Sequence, residues 1–241
     1  MHDSQSKEVK RTAGRVKTTR ASKVADALRQ SILNGELTPG SKVSLDQLRE
    51  EHRVSLSPMR EAISRLANVG LVEFEDQRGY RIAPVSTANL REITKLRALL
   101  VCQALTECIA TADLDWESDV LSALHRLNCI ACDLSTPETL EAWEAAHSRF
   151  HMSLIAGCGM PMLLDFCHTL HDLNDRYRRI YMGPDSADRA VNDEHAAIAK
   201  AAVARNTALA TELLQAHIER TGNTLLGRMA ARRQDAGDAS P

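Results

Sequence analysis

The chain is poor in aromatic side chains: two tryptophans, three tyrosines and three phenylalanines make up 3% of its 241 residues. Sheet-rich folds lean on aromatic and β-branched residues, so this scarcity argues against a sandwich or barrel. Long hydrophobic runs are missing too. The apolar stretches are short and broken by charge, which excludes a transmembrane helix, and the polar, basic N-terminus lacks the apolar centre of a signal peptide. A paired cysteine framework is absent. The six cysteines, at 102, 108, 129, 132, 158 and 167, fall mostly in predicted helices, so reduced thiols in a cytoplasmic protein are expected. Cys129-x-x-Cys132 has redox or metal spacing but neither a glycine-rich turn nor a second such pair, and buried thiols are the expected reading.

Net charge is small, at −2, yet it is unevenly divided. Residues 1–82 hold 15 Lys and Arg against 11 Asp and Glu; residues 83–241 hold 15 against 21. A basic N-terminal third on an acidic remainder fits a nucleic-acid module joined to a part that does not touch DNA.

Alanine and leucine dominate the apolar residues, which favours helices. Residues 1–18 are charged, lack apolar periodicity and are expected to be a disordered tail. From about residue 20, Val24, Ala27, Leu28 and Ile32 recur at helical spacing, and Gly35 follows as a stop. Pro39-Gly40 makes a turn, and Ser44-x-x-Gln47 reads as a capping box opening a short helix to about Glu51. Ser55 or Ser57 caps a third helix, with Pro58 tolerated in its first turn. Leu71–Phe74 and Tyr80–Ile82 alternate like strands around Asp76-Gln77-Arg78-Gly79, a hairpin signal. Three helices and a hairpin over residues 19–83 are the parts of a winged helix-turn-helix.

Residues 84–88 read as a linker, with Ser86 a cap for the next helix. Six helical blocks come after it, at 87–112, 117–134, 137–157, 160–182, 187–204 and 207–231, the last two divided at Asn206. Without a strand-like run after residue 83, residues 89–231 are expected to form an all-α bundle, and Arg232–Pro241 a loose tail. The fold class is therefore mainly α.

The first residues of a recognition helix meet base edges while hydroxyls and cations grip phosphates. Ser55, Leu56, Ser57 and Arg60 occupy that place, and Ser55 and Ser57 can donate to phosphate. Arg78 and Gly79 at the hairpin tip suit a minor-groove or phosphate contact. Ordinary solvated arginines are the alternative for Arg60 and Arg78. In the second part, His147-x-x-x-His151 sets two imidazoles on one helix face, about 5–6 Å apart at Cβ. His195 and His217 sit on two further helices. Four histidines on three helices can converge inside a bundle on a divalent ion such as zinc or nickel; satisfied core or surface histidines are the alternative. Arg97, Arg176 and Arg178, with Tyr177, are candidates to hold carboxylates by bidentate pairing. Surface pairing with Asp172 or Asp175 is the other reading.

Several motifs together carry a family resemblance. Ala25-x-x-Leu28, Ile32-Leu33-x-Gly35-x-Leu37-x-Pro39-Gly40, Val54-Ser55-x-Ser57-Pro58-Met59-Arg60-Glu61-Ala62, Gly70-Leu71-Val72 and Gly79-Tyr80 resemble the GntR family of bacterial repressors. The helical remainder resembles the FCD effector domain of its FadR-type subfamily. The resemblance implies a homodimeric repressor on a palindromic double-stranded operator, not an enzyme; no glutamate accompanies the histidines in an H-E-x-x-H arrangement. The family usually has arginine where Leu56 stands, so the operator sequence is expected to differ. FCD domains often bind a metal through an aspartate and three histidines. His151, His195 and His217 match the histidines, and His147 stands at the aspartate position, a change that favours borderline metals. His125, His168 and His171 lie outside that pattern and are expected to be structural or exposed. The stretch Trp143…His147…Phe150-His151…Ala156-Gly157-Cys158-Gly159…Arg176-Tyr177-Arg178 resembles glutarate-responsive members of the subfamily, which implies a small dicarboxylate such as glutarate as effector.

Overall fold

The computed structural model describes residues 19–130, 136–182 and 189–238. The described residues open with three helices, α1 (Arg20–Leu33), α2 (Leu45–Glu51) and α3 (Leu56–Asn68), and three strands, β1 (Lys42–Val43), β2 (Val72–Glu75) and β3 (Gly79–Ile82). Thr19 caps α1 by accepting from the Ser22 amide at 3.1 Å, and α1 ends before Gly35, whose φ of +77° suits a glycine. Ser44 caps α2 as expected, but Gln47 does not complete a capping box; its amide donates to Glu51 instead, at 2.8 Å. The hairpin over residues 72–82 forms as expected, with Phe74 opposite Tyr80 and Val72 opposite Ile82. Strand β1 adds to it antiparallel, giving the order β1-β3-β2. Two residues are too few to carry an alternating pattern, so sequence periodicity could not reveal β1. Leu28, Ile32, Met59, Ile63, Leu71 and Ile82 fill the small core beneath this winged helix.

Six helices complete the described chain: α4 (Thr87–Thr111), α5 (Leu114–Ile130), α6 (Pro137–Ser153), α7 (Pro161–Tyr181), α8 (Arg189–Val203) and α9 (Thr207–Asp238). The Ser86 hydroxyl accepts from the Asn89 amide at 3.1 Å and caps α4 as expected, so the helix takes up the end of the 84–88 segment. Asp113 accepts from the Trp116 amide at 2.9 Å, which starts α5 earlier than residue 117. Helix α6 stops at Ser153, short of residue 157. Helix α9 runs through Arg232 to Asp238, where a loose tail was expected. Ala230, Ala231, Arg232 and Arg233 are good helix formers, and their polarity marks a solvated helix end. Asn206 does separate α8 from α9, its side chain accepting from the Leu209 amide.

The bundle core runs from Leu105 and Val120 through Leu127, Phe150 and Leu154 to Ile198, Leu214 and Ile218. Burial pushes the Cys102, Cys108 and Cys167 thiols up to about 11, as for inert core thiols. Cys129 is exposed rather than buried, and its CxxC partner Cys132 lies outside the described residues.

Helix α7 packs on α4 and also reaches α1 of the winged helix. Arg29 donates to Asp172 at 2.7 Å, and Leu173 joins the edge of the winged-helix core. Where α4 meets α9, a Cβ on Gly222 would lie 2.6 Å from both Cγ2 and Oγ1 of Thr94. Overpacking costs about 1–3 kcal/mol, more than the roughly 1 kcal/mol that alanine gains over glycine within a helix. Gly222→Ala should therefore lower the urea midpoint, and adding Thr94→Ala should recover most of the loss. An unchanged midpoint in the single variant would show that the α4–α9 approach is looser than described.

Candidate functional site

Helix α6 carries His147 and His151 one turn apart, α8 carries His195 and α9 carries His217, and the bundle brings all four together. Each is buried, and one ligand atom from each lies within 4.8 Å of every other. The Nε2 atoms of His147 and His151 are 3.1 Å apart, and the His195 and His217 rings are 4.8 Å apart at their centroids. Burial is the main force that favours the neutral form of all four. It lowers His195 to about 3 and His217 to about 4, with neighbouring imidazoles and arginines adding to the effect, and puts His147 and His151 well below the usual histidine value.

Neutral imidazoles are ligand-competent, and several of their ring nitrogens lack partners here: both of His195 and Nδ1 of His147 are buried without a hydrogen bond. This orphaned donor set fits a divalent transition ion and fits magnesium or calcium poorly, since it offers no oxygen. The four expected metal ligands are thus assembled.

A second polar group adjoins them. Arg97, from α4, is only 4% exposed, its Nε lacks a partner, and it forms no hydrogen bond among the described residues. Burial lowers its pKa, while Asp175 opposes the shift. Arg178, from α7, is buried against Glu144, lies 3.4 Å from Asp175, and has its guanidinium carbon 5.0 Å from the Trp143 ring centroid. Burial lowers Arg178 to about 9 and raises Asp175 to about 6. Of the residues expected to hold an effector, the structure brings Arg97 and Arg178 to this group.

It places Arg176 and Tyr177 elsewhere. Arg176 donates to the Ala83 carbonyl, and the Tyr177 hydroxyl accepts from the Ser86 amide at 3.0 Å and lies 2.8 Å from Asn89 Oδ1. Consecutive helical residues point about 100° apart, so a run of three adjacent residues on α7 cannot share one face. These two clamp the segment leading into α4.

His171, expected to be structural or exposed, is 2% exposed and borders the cluster, 6.0 Å from the His151 ring. Its Nε2 is 3.5 Å from Asp175 Oδ2, with no hydrogen bond at either ring nitrogen. The spacing of His171, Asp175 and Arg178 on α7 was the available signal for this inward polar face. Glu144 and the unpartnered Trp143 indole, one turn before His147 on α6, extend it. His125 and His168 are exposed.

At the other end of the chain, Ser55, Leu56, Ser57 and Arg60 are all exposed at the start of α3. Ser55 occupies the N-cap position, yet its hydroxyl makes no cap bond and stays free. Arg60 forms no ion pair or hydrogen bond among the described residues, whereas Arg65 one turn later is tied to Glu61 and Ser22. Arg78 is 80% exposed in its side chain and only 3.9 Å from Glu75, and Gly79 has a φ of +83°.

Residues 20–82 match the family described as bacterial regulatory proteins, gntR family, and residues 92–220 match the FCD domain. The chain belongs to the GntR family. It is 34% identical over 196 residues to the HTH-type transcriptional repressor GlaR of Escherichia coli, covering 79% of this chain and 89% of that protein. It is likewise 34% identical over 194 residues to an uncharacterized HTH-type transcriptional regulator, BphR, of Paraburkholderia xenovorans, covering 80% of this chain and 79% of that protein. Among solved structures, Escherichia coli McbR/YncC superposes with a TM-score of 0.74 at 17% identity, over 88% of this chain and 99% of that one, a likeness of fold. This GntR-family chain is a DNA-binding transcription regulator with a metal-competent FCD domain, and not an enzyme. No helix among its described residues is long and apolar enough to cross a membrane.

Because the buried histidines protonate less readily in the folded chain than in the unfolded one, acid acts on the unfolded state first. Stability is full above the ordinary histidine value of 6.5 and falls as pH drops toward about 4. Each histidine contributes up to about 2 kcal/mol of that loss at pH 5. Asp175, raised to about 6, and Asp172, also raised by burial, pull the other way, but they are two groups against His147, His151, His171, His195 and His217. Urea unfolding of metal-stripped protein should show a lower midpoint at pH 5 than at pH 7.5. A flat profile would mean that the imidazoles are solvated.

Proposed function

We propose that this GntR-family chain is a cytoplasmic repressor that binds a palindromic operator as a homodimer. A small dicarboxylate, of which glutarate is an example, enters the FCD bundle beside a zinc or nickel ion and releases the DNA. The observation that carries this reading is Arg97: a buried guanidinium with an unpartnered Nε and no hydrogen bond among the described residues, near enough to His147 and His217 to disfavour their protonation. A buried cation in that state calls for an anion. Arg178 is already neutralised by Glu144 and Asp175, so Arg97 and the ion are the two positive anchors, one for each carboxylate. His147, His151, His195 and His217 would hold the ion, which supplies a Lewis-acidic anchor for an oxygen anion.

DNA contact falls to α3 and the wing. Ser55 and Ser57 serve phosphates, Arg60 reaches a base edge or a phosphate, and Arg78 and Gly79 approach the backbone or minor groove. Leu56, 37% exposed, offers an apolar surface that cannot pair with guanine and can only pack, as on a thymine methyl. Release requires the ligand to favour a dimer geometry that misplaces the two α3 helices, and α7 is the route that the contacts support. Its inward face bears His171, Asp175 and Arg178, and its outward residues hold α1 and the linker.

Thermal-shift measurements with C3–C6 mono- and dicarboxylates, on metal-loaded and chelator-treated protein, test the sensing half. A dicarboxylate should raise the melting temperature of the loaded protein most. If chelation lowers stability and no acid raises it, the metal is structural and carboxylate sensing is wrong. Arg97→Ala should weaken acid binding roughly 10- to 100-fold, as for a lost charge-assisted pair, with operator affinity kept. Arg60→Ala should cost about 1–3 kcal/mol in specific operator binding without altering the melting temperature. Undiminished operator affinity would remove Arg60 from the interface.

A further inference from the structure

His217 differs from its companions in the cluster. Its Nδ1 lies 2.8 Å from Glu194 Oε2, while Nδ1 of His147 and both ring nitrogens of His195 have no partner. Glu194 precedes His195 on α8, so one short stretch of that helix offers both an imidazole to the cluster and a carboxylate to the imidazole on α9. The second oxygen of Glu194 is held by Arg220, which lies three residues after His217 on the same helix. Arg220, Glu194 and His217 therefore form a chain of contacts that fixes the carboxylate from behind and the ring from in front. An Nδ1–H donated to that carboxylate leaves the Nε2 lone pair as the free donor of His217.

The charge balance of the site makes this contact consequential. Four neutral imidazoles bring no negative charge of their own to a divalent ion; Glu144 and Asp175 lie beside His147 but are paired with Arg178, and Arg97 is a further cation in the same interior. Among the described residues, Glu194 is the carboxylate hydrogen-bonded to a member of the four-histidine set. Outer carboxylates on ligating histidines orient the ring, set its tautomer and raise its basicity.

We propose that Glu194 is a positioning residue for metal binding, which locks His217 as an Nε2 ligand and supplies, one hydrogen bond away, the negative charge that the donor set lacks. This rests on the reading of the four histidines as a metal site. Both arms use full-length protein stripped of metal and titrated with zinc against a chromophoric chelator. Glu194→Ala should weaken zinc binding about 10- to 100-fold, with one ion still bound at saturation. Glu194→Gln retains an acceptor and loses the charge, so its loss should lie between wild type and Glu194→Ala. Cobalt-loaded variants should show shifted d–d absorption, which a purely structural role of Glu194 would not produce. The exposed Glu212→Gln on α9 serves as the control and should match wild type. Wild-type zinc affinity and unmoved cobalt spectra in both Glu194 variants would overturn the role of Glu194 and leave the metal site standing. Failure of wild-type protein to take up zinc or cobalt would overturn the metal site itself, and the proposal with it.

Discussion

The interior of the FCD bundle holds more hydrogen-bonding capacity than the protein satisfies. Arg97, Trp143, His147, His171 and His195 all bury polar atoms without partners, and each such atom costs about 1–3 kcal/mol. Apolar side chains in those places would pack at no such cost. An ion or ligand bound there would relieve this burden and would stabilise the folded state in proportion to its affinity. The arrangement of α6, α8 and α9 follows from it, since their inward faces must deliver nitrogen donors to one point while Phe150, Ile198, Leu214 and Ile218 seal the surroundings.

The same interior is linked to the DNA-binding part through α7. One face of this helix turns His171, Asp175 and Arg178 toward the buried polar group. The residues between them, Asp172, Leu173, Arg176 and Tyr177, hold α1, the winged-helix core and the segment 83–89. The Arg29–Asp172 pair is partly exposed and contributes at most about 1 kcal/mol. The hydrogen bonds to Ala83 and Ser86 and the packing of Leu173 carry more of this attachment. Any displacement of Arg178 by an incoming anion acts on a helix already fastened to both parts, and it shifts the balance of states only if the anion binds one arrangement more tightly.

Much of this was legible in the residues. Capping signals at Ser44 and Ser86 mark true helix starts, the break read at Asn206 divides α8 from α9, and the alternation around Asp76–Gly79 marks the wing, because these are local effects written within a few positions. The convergence of His147, His151, His195 and His217 was legible only as a possibility from spacing, since helix order does not state which faces meet. Arg176 and Tyr177 show the limit most clearly. Beside Arg178 in sequence, they point away from it on the helix, and only the packing of α7 between two partners assigns their roles. Glu144 and the inward placement of His171 stayed hidden because a buried polar residue on an amphipathic stripe looks like a surface residue until the neighbouring helices are in place. Strand β1 and the full length of α9 were missed for the opposite reason: one is too short to show a period and the other too polar at its end to look structured.

The central claim is that DNA binding is governed by an anion held jointly by Arg97 and a metal at the four histidines. It is tested most directly by titrating operator-bound protein with glutarate and its C4 and C6 homologues while following DNA anisotropy, in parallel with metal-loaded and metal-stripped samples. Release by a dicarboxylate from the loaded sample, with little or none from the stripped sample, is the expected result. Equal release from both samples, or operator binding indifferent to every acid and to the metal, would contradict it.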